Sequence, residues 1–414
     1  MKYIVIGAGS RGSIYGSWAH KQGIEIAAVA DLRPDRLAEA GKLWNVPAER
    51  LFTDVNQLFA LGKIADAAII ATMDRDHFGH VMAALDCGYD ILLEKPISPD
   101  PRECIRIEEK ANGLGKKITV CHVLRYTNFF GALKDIIDSG ELGKIVAIKH
   151  SENIGNFHMA HSFVRGNWRN DILSSPIIMQ KSCHDLDILL WLTGAHCTKV
   201  AAFGSLSYFR ESNAPSGSAE RCFECALADS CRFEAKKCYL PTLGSWPTDV
   251  VCLEQTEDAL DSALKTGPYG RCVYRCDNNV CDHMSIVLEF DNAVTATFSL
   301  TAQTSLCHRN IHIMLENGEI LADDSQRQIL VRKHISSNAD TFEERIIHVR
   351  TNASGHGGGD AGIMEDFTAS LRAGANTRSS ISASVESHLM ACAIEQSRLT
   401  GTVVELETFR QSLR

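Results

Sequence analysis

The chain has 414 residues, 45% of them hydrophobic and 22% charged, the proportions of a globular protein large enough for two domains. Its 42 basic and 51 acidic side chains give a formal charge of −9 with no long basic run, which argues against nucleic acid or an anionic membrane as a partner. No apolar stretch reaches the length of a membrane span and the first strand signal begins at residue 2, so the expectation is a cytoplasmic protein without a signal peptide.

The first 120 residues alternate strand and helix signals. Strands are predicted at 2–6, 24–30, 66–71, 89–94 and 117–121, and helices at 13–22, 34–44, 76–87 and 100–113. This alternation, with strands apolar on both faces, predicts an α/β, doubly wound parallel sheet covered by helices. The first strand runs into Gly7-x-Gly9-x-x-Gly12, and an acid, Asp31, closes the second. Strand, glycine turn, helix and acid in this order make a dinucleotide-binding fingerprint. Gly7 permits the tight turn, Gly9 admits a pyrophosphate close to the backbone, and Gly12 lets helix and strand pack closely. Ser10 and Arg11 fall where the helix N-terminus offers its N–H groups to phosphates. Asp31 suits the ribose hydroxyls of NAD, while Arg11 and Arg33 keep NADP open as an alternative. Ala71-Thr72 and Glu94-Lys95-Pro96 end two further strands and are expected in the same crevice.

Character changes after about residue 122. A helix is predicted at 128–139, a strand at 145–150 and a buried helix at 184–192. Strands follow at 199–207, 285–290, 293–300, 309–315 and 318–321, with hairpins through Asp291-Asn292 and Asn317-Gly318. Two helices, 361–373 and 384–399, and a short strand at 403–406 close the chain. The division expected is a Rossmann domain over 1–121 and a C-terminal α+β domain over 122–414, built on a large, mostly antiparallel sheet. Residues 210–282 are rich in Cys, Pro and Gly and read as an insertion without an obvious core.

Fifteen cysteines are many for a reducing compartment, and most read as small core residues. Cys222-x-x-Cys225-x₅-Cys231, followed by Cys238, Cys272 and Cys276, has two readings: a structural zinc site or reduced thiols in a packed loop. The tract 163–169 places Trp168 and Arg169 in a loop, suited to a sugar ring or an anionic substituent, or simply to a surface. In Ser354-Gly355-His356-Gly357-Gly358-Gly359-Asp360, Asp360 is expected to cap the helix from Ala361.

Taken together, the chain resembles the glucose–fructose oxidoreductase/inositol dehydrogenase (Gfo/Idh/MocA) family across nearly its whole length. The matching pieces are Gly7-x-Gly9-x-x-Gly12, Ala71-Thr72 followed by His77, Glu94-Lys95-Pro96, Arg125-Tyr126, His184-Asp185-Leu186-Asp187 and Trp191-Leu192-Thr193-Gly194. The resemblance implies that Lys95 lies near the reacting hydroxyl and the nicotinamide, where a lysine stabilises alkoxide character as hydride leaves. It implies an acid/base or orienting role for His184, and sugar-side positions for Arg125, Gln180, Lys181 and His356.

One departure stands out. Sugar dehydrogenases of the family commonly carry an aspartate four residues before the histidine, and this chain has Gln180 there. An amide cannot accept a proton as a carboxylate does. Lys181 beside it either adds a second cation to the site or points to solvent. The leading expectation is an NAD(P)-dependent oxidoreductase acting on a ring hydroxyl of a sugar, cyclitol or sugar derivative. A redox-neutral NAD-dependent glycosidase of the same family is the alternative, because a similar His-Gly-Gly-x-Asp loop occurs in that branch. A dinucleotide-binding sensor is a third reading, opposed by the presence of both Lys95 and His184. The open sheet face suggests a homo-oligomer.

Overall fold

The computed structural model describes residues 1–336, 341–350 and 355–414. Six strands form the first sheet: β1 (Lys2–Ile6), β2 (Glu25–Ala30), β3 (Leu51–Phe52), β4 (Ala67–Ile70), β5 (Asp90–Leu93) and β6 (Ile118–Val120). All pairs are parallel and the order is β3-β2-β1-β4-β5-β6. The strands are runs of Val, Ile, Leu and Ala because both faces are buried. Ile4 and Ile6 of β1 join one core with Val81 and Leu85 of the helix His77–Asp86. Tyr3 and Val5 join the opposite core with Tyr15 and Ala19 of the helix Ser10–Lys21. Strand order reverses between β1 and β4, which opens a crevice beyond their C-terminal ends. β3 was not foreseen, since two residues are too few to show a period.

The second sheet has nine strands: β7 (Ile145–Asn153), β8 (Cys197–Ser205), β9 (His283–Phe290), β10 (Thr295–Thr301), β11 (His308–Leu315), β12 (Gly318–Asp323), β13 (Gln328–His334), β14 (Phe342–His348) and β15 (Val404–Glu405). Their order is β14-β13-β12-β11-β7-β10-β9-β8-β15. Only β7 and β10 pair in parallel, so the sheet is mixed and mostly antiparallel. Side chains alternate buried and exposed along β9 and β10, which leaves one face open, with Phe203 and Val287 more than half exposed on it. The β11–β12 turn is Glu316-Asn317, because Leu315 pairs with Gly318. Gly318 is therefore a strand residue, and a Cβ there would meet the Arg332 carbonyl oxygen at 2.2 Å.

Two other expectations change. The insertion has a small core of its own, in which Leu260 and Leu264 of the helix Glu257–Thr266 pack with Cys222, Ala235, Tyr239 and Tyr269. That helix places Leu260 and Leu264 four residues apart on one face. Of the closing helices, Ile381–Thr400 packs on β8, where the Ala202 N–H donates to Ser397 Oγ at 3.0 Å, while Gly359–Ala373 leaves the second sheet. Phe367 packs beside Tyr3 and Val5, the Tyr3 hydroxyl meets Thr368 Oγ1 at 2.9 Å, and the Val120 N–H donates to the Ser379 carbonyl. The chain thus returns to cover the sheet it began with.

Candidate functional site

The crevice beyond β1 and β4 has the form a dinucleotide requires. Gly7 has φ +90°, and a Cβ on it would meet the Ala71 carbonyl oxygen at 2.5 Å. A Cβ on Gly12 would lie 1.8 Å from the Gly7 carbonyl oxygen. A Cβ on Gly9 would meet nothing within 4 Å, so the protein itself makes no demand for glycine there. That open space adjoins a helix whose first N–H groups have no side-chain cap, leaving them for an anionic ligand. Asp31 accepts from the Ala8 N–H at 2.7 Å and the Arg33 N–H at 2.9 Å, which locks the β1 and β2 ends together.

Neither nearby arginine is free. The Arg33 guanidinium is turned to Asp35. Arg11 donates to Glu94 at 2.7 Å and to Asp360 at 2.6 Å, and it also meets the Tyr15 hydroxyl. Burial works to raise the Glu94 pKa, but Arg11 and Lys95 hold it below the ordinary value. Arg11 is therefore a brace between β5 and the helix Gly359–Ala373, not a free phosphate ligand. Asp360 does not cap that helix as expected. Gly358, with φ +97°, holds the cap position, and the Asp360 carboxylate faces Arg11 and His356. Ser354, the start of this loop, lies outside the described residues.

His77, expected to face cofactor, is fully buried with its ring nitrogens against the Pro96 and Thr72 carbonyl oxygens at 2.7 and 3.2 Å. It joins the β4 and β5 ends, where strand-end carbonyls need partners. Lys95, at the end of β5, donates from Nζ to the Gln180 backbone carbonyl at 2.8 Å. This brings the lysine against the segment leading to His184. The Gln180 side chain turns away, its Nε2 donating to Ser174 Oγ at 2.8 Å and to the Ser175 carbonyl.

His184 is the second residue of the helix Cys183–Thr193, nine of whose eleven residues are buried. Its Nδ1 is buried without a hydrogen-bond partner, and its ring packs edge-on to His122 at 5.7 Å. Burial, then the charge of Lys95, push its pKa well below the usual histidine range. The next acids anchor the helix. Asp185 accepts from His150 at 2.8 Å and Arg309 at 2.7 Å. Asp187 accepts both Nε and Nη2 of Arg125, at 2.7 and 2.8 Å. Arg125 is thus committed to a buried carboxylate, which corrects its expected place on the substrate. Lys181 is not solvent-directed either, since it pairs with the buried Glu152 at 3.0 Å. Arg169 is taken up by Asp277 at 2.7 and 3.0 Å, while the adjacent Trp168 stays partly exposed.

Of the two cysteine readings, the packed thiols are what the geometry shows. Among the described residues no three His, Cys, Asp or Glu side chains could hold a metal together, and Cys222 instead accepts from Arg165 Nη2 at 3.4 Å. Zinc at Cys222, Cys225 and Cys231 finds no support, because Cys222 belongs to the insertion's packed core. Sequence reasoning missed His122, Glu152 and Arg309. His122 lies two residues beyond the end of β6 and was findable as the first polar residue after a parallel strand. Glu152 and Arg309 become neighbours only through the β7–β11 register.

Family patterns match both halves of the chain. The pattern described as "Oxidoreductase family, NAD-binding Rossmann fold" of the Gfo/Idh/MocA type matches residues 1–122. Its companion, "Oxidoreductase family, C-terminal alpha/beta domain", matches 134–406. The chain is similar to the putative oxidoreductase YteT of Bacillus subtilis, at 23% identity over 83% of this chain and 82% of that one. It is similar to an inositol 2-dehydrogenase of Corynebacterium glutamicum at 28% identity, over 47% of this chain and 55% of that protein's length. Among solved structures, levoglucosan dehydrogenase in complex with NADH superposes with a TM-score of 0.72 at 18% identity, covering 98% of this chain and 99% of that one. An oxidoreductase of Agrobacterium radiobacter in complex with NAD+, L-tartaric acid and magnesium gives 0.70 at 16%, with 99% of each chain covered. At such identities these structures speak for the fold alone.

Proposed function

The chain belongs to the Gfo/Idh/MocA oxidoreductase family, and from that membership we propose that it is an NAD-dependent dehydrogenase acting on a ring hydroxyl of a sugar, cyclitol or sugar derivative. The observation that carries this reading is Lys95 Nζ resting 2.8 Å from the carbonyl of Gln180, four residues ahead of His184 and beside the nucleotide crevice. The residues present fit NAD. Gly7, Gly9 and Gly12 clear the backbone, the uncapped helix N-terminus receives the pyrophosphate, and Asp31 receives the ribose hydroxyls. Arg11 is held by Glu94 and Asp360, and the exposed Arg33 is turned to Asp35, which favours NAD over NADP.

When bound, the nicotinamide supplies the hydride acceptor. The Lys95 ammonium hydrogen-bonds the substrate hydroxyl and stabilises alkoxide character on that oxygen. His184, kept neutral by burial and by Lys95, is in the form that takes the hydroxyl proton. Gln180 contributes its backbone, which fixes the Lys95 ammonium. Lys181 and Arg309, paired with Glu152 and Asp185, present fixed polar groups to the remaining hydroxyls, and His356 stands at the Arg11 brace. A second copy of the chain covers the open face of the nine-stranded sheet.

The test is a screen of free sugars, cyclitols and their acids with NAD, read as NADH formation. Steady NADH production lost in Lys95→Ala supports the proposal. No NADH with any of them, while NAD still binds, would overturn it.

A further inference from the structure

The cysteine-rich insertion places one large aromatic side chain against the segment from Phe157 to His161. Trp246 is 47% exposed, yet its ring is fixed by three neighbours. His158, His161 and Phe157 pack almost perpendicular to it, at centroid distances of 5.1, 5.5 and 6.5 Å and angles of 74°, 80° and 86°. His161 is itself stacked on Tyr269 at 4.9 Å and bonded to the Tyr239 hydroxyl at 3.1 Å. The indole is thus held at a set tilt while nearly half its surface stays open. A lone exposed aromatic needs no explanation, but one clamped in place by three rings does.

The chain of contacts from Trp246 leads to Lys181, the residue after Gln180, whose carbonyl holds Lys95. His158 Nδ1 lies 3.7 Å from Cys307 Sγ, and Lys181 Nζ lies 3.9 Å from the same sulfur. Lys181 pairs with Glu152, and Glu152 with Arg309. Burial first, then the charges of Lys181, His161, Lys95 and Arg309, hold the His158 pKa well below the usual histidine range. Leu306, 60% exposed, adds a second apolar side chain next to Cys307. An apolar platform therefore adjoins ion-paired groups that can hydrogen-bond hydroxyls. That combination matches a pyranose ring, which has a C–H face and a polar rim.

We propose that Trp246 is the stacking platform of a second sugar subsite, so that the substrate is a glycoside whose reacting ring meets Lys95 and His184 while its neighbouring ring lies on the indole. The inference rests on the dehydrogenase reading above and adds the size of the substrate. It also gives the insertion a task, since residues 210–282 build the wall that carries Trp246.

Trp246→Ala and Trp246→Phe are compared with the unaltered chain on a free sugar and on disaccharides containing that sugar, with NADH as the readout. Trp246→Ala should lower kcat/KM for the disaccharide by about tenfold through KM, and leave the free sugar within about twofold. Trp246→Phe, which keeps an aromatic face, should retain most of the disaccharide activity. Equal losses on both substrates, or no loss on any disaccharide, would overturn the subsite. If no sugar is oxidised at all, the dehydrogenase reading fails, and cellobiose, maltose and lactose binding by calorimetry decides the subsite separately. Binding lost in Trp246→Ala upholds it, and absence of binding to the unaltered protein refutes it.

Discussion

Replacing Arg125 by alanine separates a structural arginine from a substrate ligand. The Arg125 side chain is 7% exposed and the Asp187 side chain 1%, and two charge-assisted hydrogen bonds join them. Arg125 Nη1 also donates to the Arg378 carbonyl at 2.9 Å, tying this pair to the segment between the last two long helices. Removing the guanidinium leaves a buried carboxylate without its partner, a change that costs about 3–5 kcal/mol. For a cooperative unit of this size, that lowers Tm by about 5 °C. Burial already raises the Asp187 pKa against the pull of Arg125, so Asp187 becomes protonated more readily once the arginine is gone. The penalty should therefore shrink as pH falls. Thermal and urea unfolding of Arg125→Ala between pH 5 and pH 8 measures this, and an Arg125→Met/Asp187→Leu double variant should recover most of the loss. A stable Arg125→Ala protein with a raised KM would show instead that the arginine serves the substrate.

Lys95→Ala should bind NAD with unchanged affinity and lose at least about a hundredfold in kcat, measured by NADH formation; near-normal turnover would remove Lys95 from the chemistry. NAD titrated by fluorescence should bind more tightly than NADP, and Asp31→Ala should narrow that preference. NADH should accumulate one for one with substrate consumed, whereas aglycone release without lasting NADH would bring back the glycosidase alternative. His122, His184 and His158 have strongly lowered pKa values, His161 is lowered to about 4 and His388 to about 3, in each case first through burial. The unfolded chain binds these protons first, so stability should be full above the unfolded value of about 6.5 and fall below it, by about 1.4 kcal/mol per pH unit for each histidine. His196, raised by Glu386, works weakly in the opposite sense. Urea midpoints that stay flat from pH 7 to pH 5 would contradict this. A Phe203→Asp/Val287→Asp variant should elute as a smaller species than the unaltered chain if the open sheet face is an interface.

Much of the nucleotide half was legible because its signals are local. Glycines at fixed offsets, buried strands and an acid at a strand end follow from neighbouring residues alone. Within the second half, the strand β13 and the helix Glu257–Thr266 went unread, although Leu260 and Leu264 show helical spacing, because the surrounding Cys, Pro and Gly masked it. Side-chain commitments were the least legible. That Arg125 turns to Asp187, Arg169 to Asp277 and Arg11 to Glu94 and Asp360 depends on partners 62, 108, 83 and 349 residues away. An arginine in a motif announces a charge, but only the fold says which acid has claimed it. The Gln180 departure illustrates the converse, since its backbone carbonyl, common to any residue, makes the contact with Lys95.

The return of the helix Gly359–Ala373, and of Ser379 beyond it, to the first sheet sets an order on biosynthesis. Tyr3 and Val5 wait for Phe367, the Val120 N–H for the Ser379 carbonyl, and Arg11 for Asp360. As the chain leaves the ribosome, its nucleotide half emerges first, lacking the helix that closes one face and the acid that completes the Arg11 brace. Domains usually fold as units from the N-terminus during synthesis. Here the earliest unit to appear is among the last to be finished, and a nascent chain stalled before residue 359 presents an apolar surface that the completed protein hides.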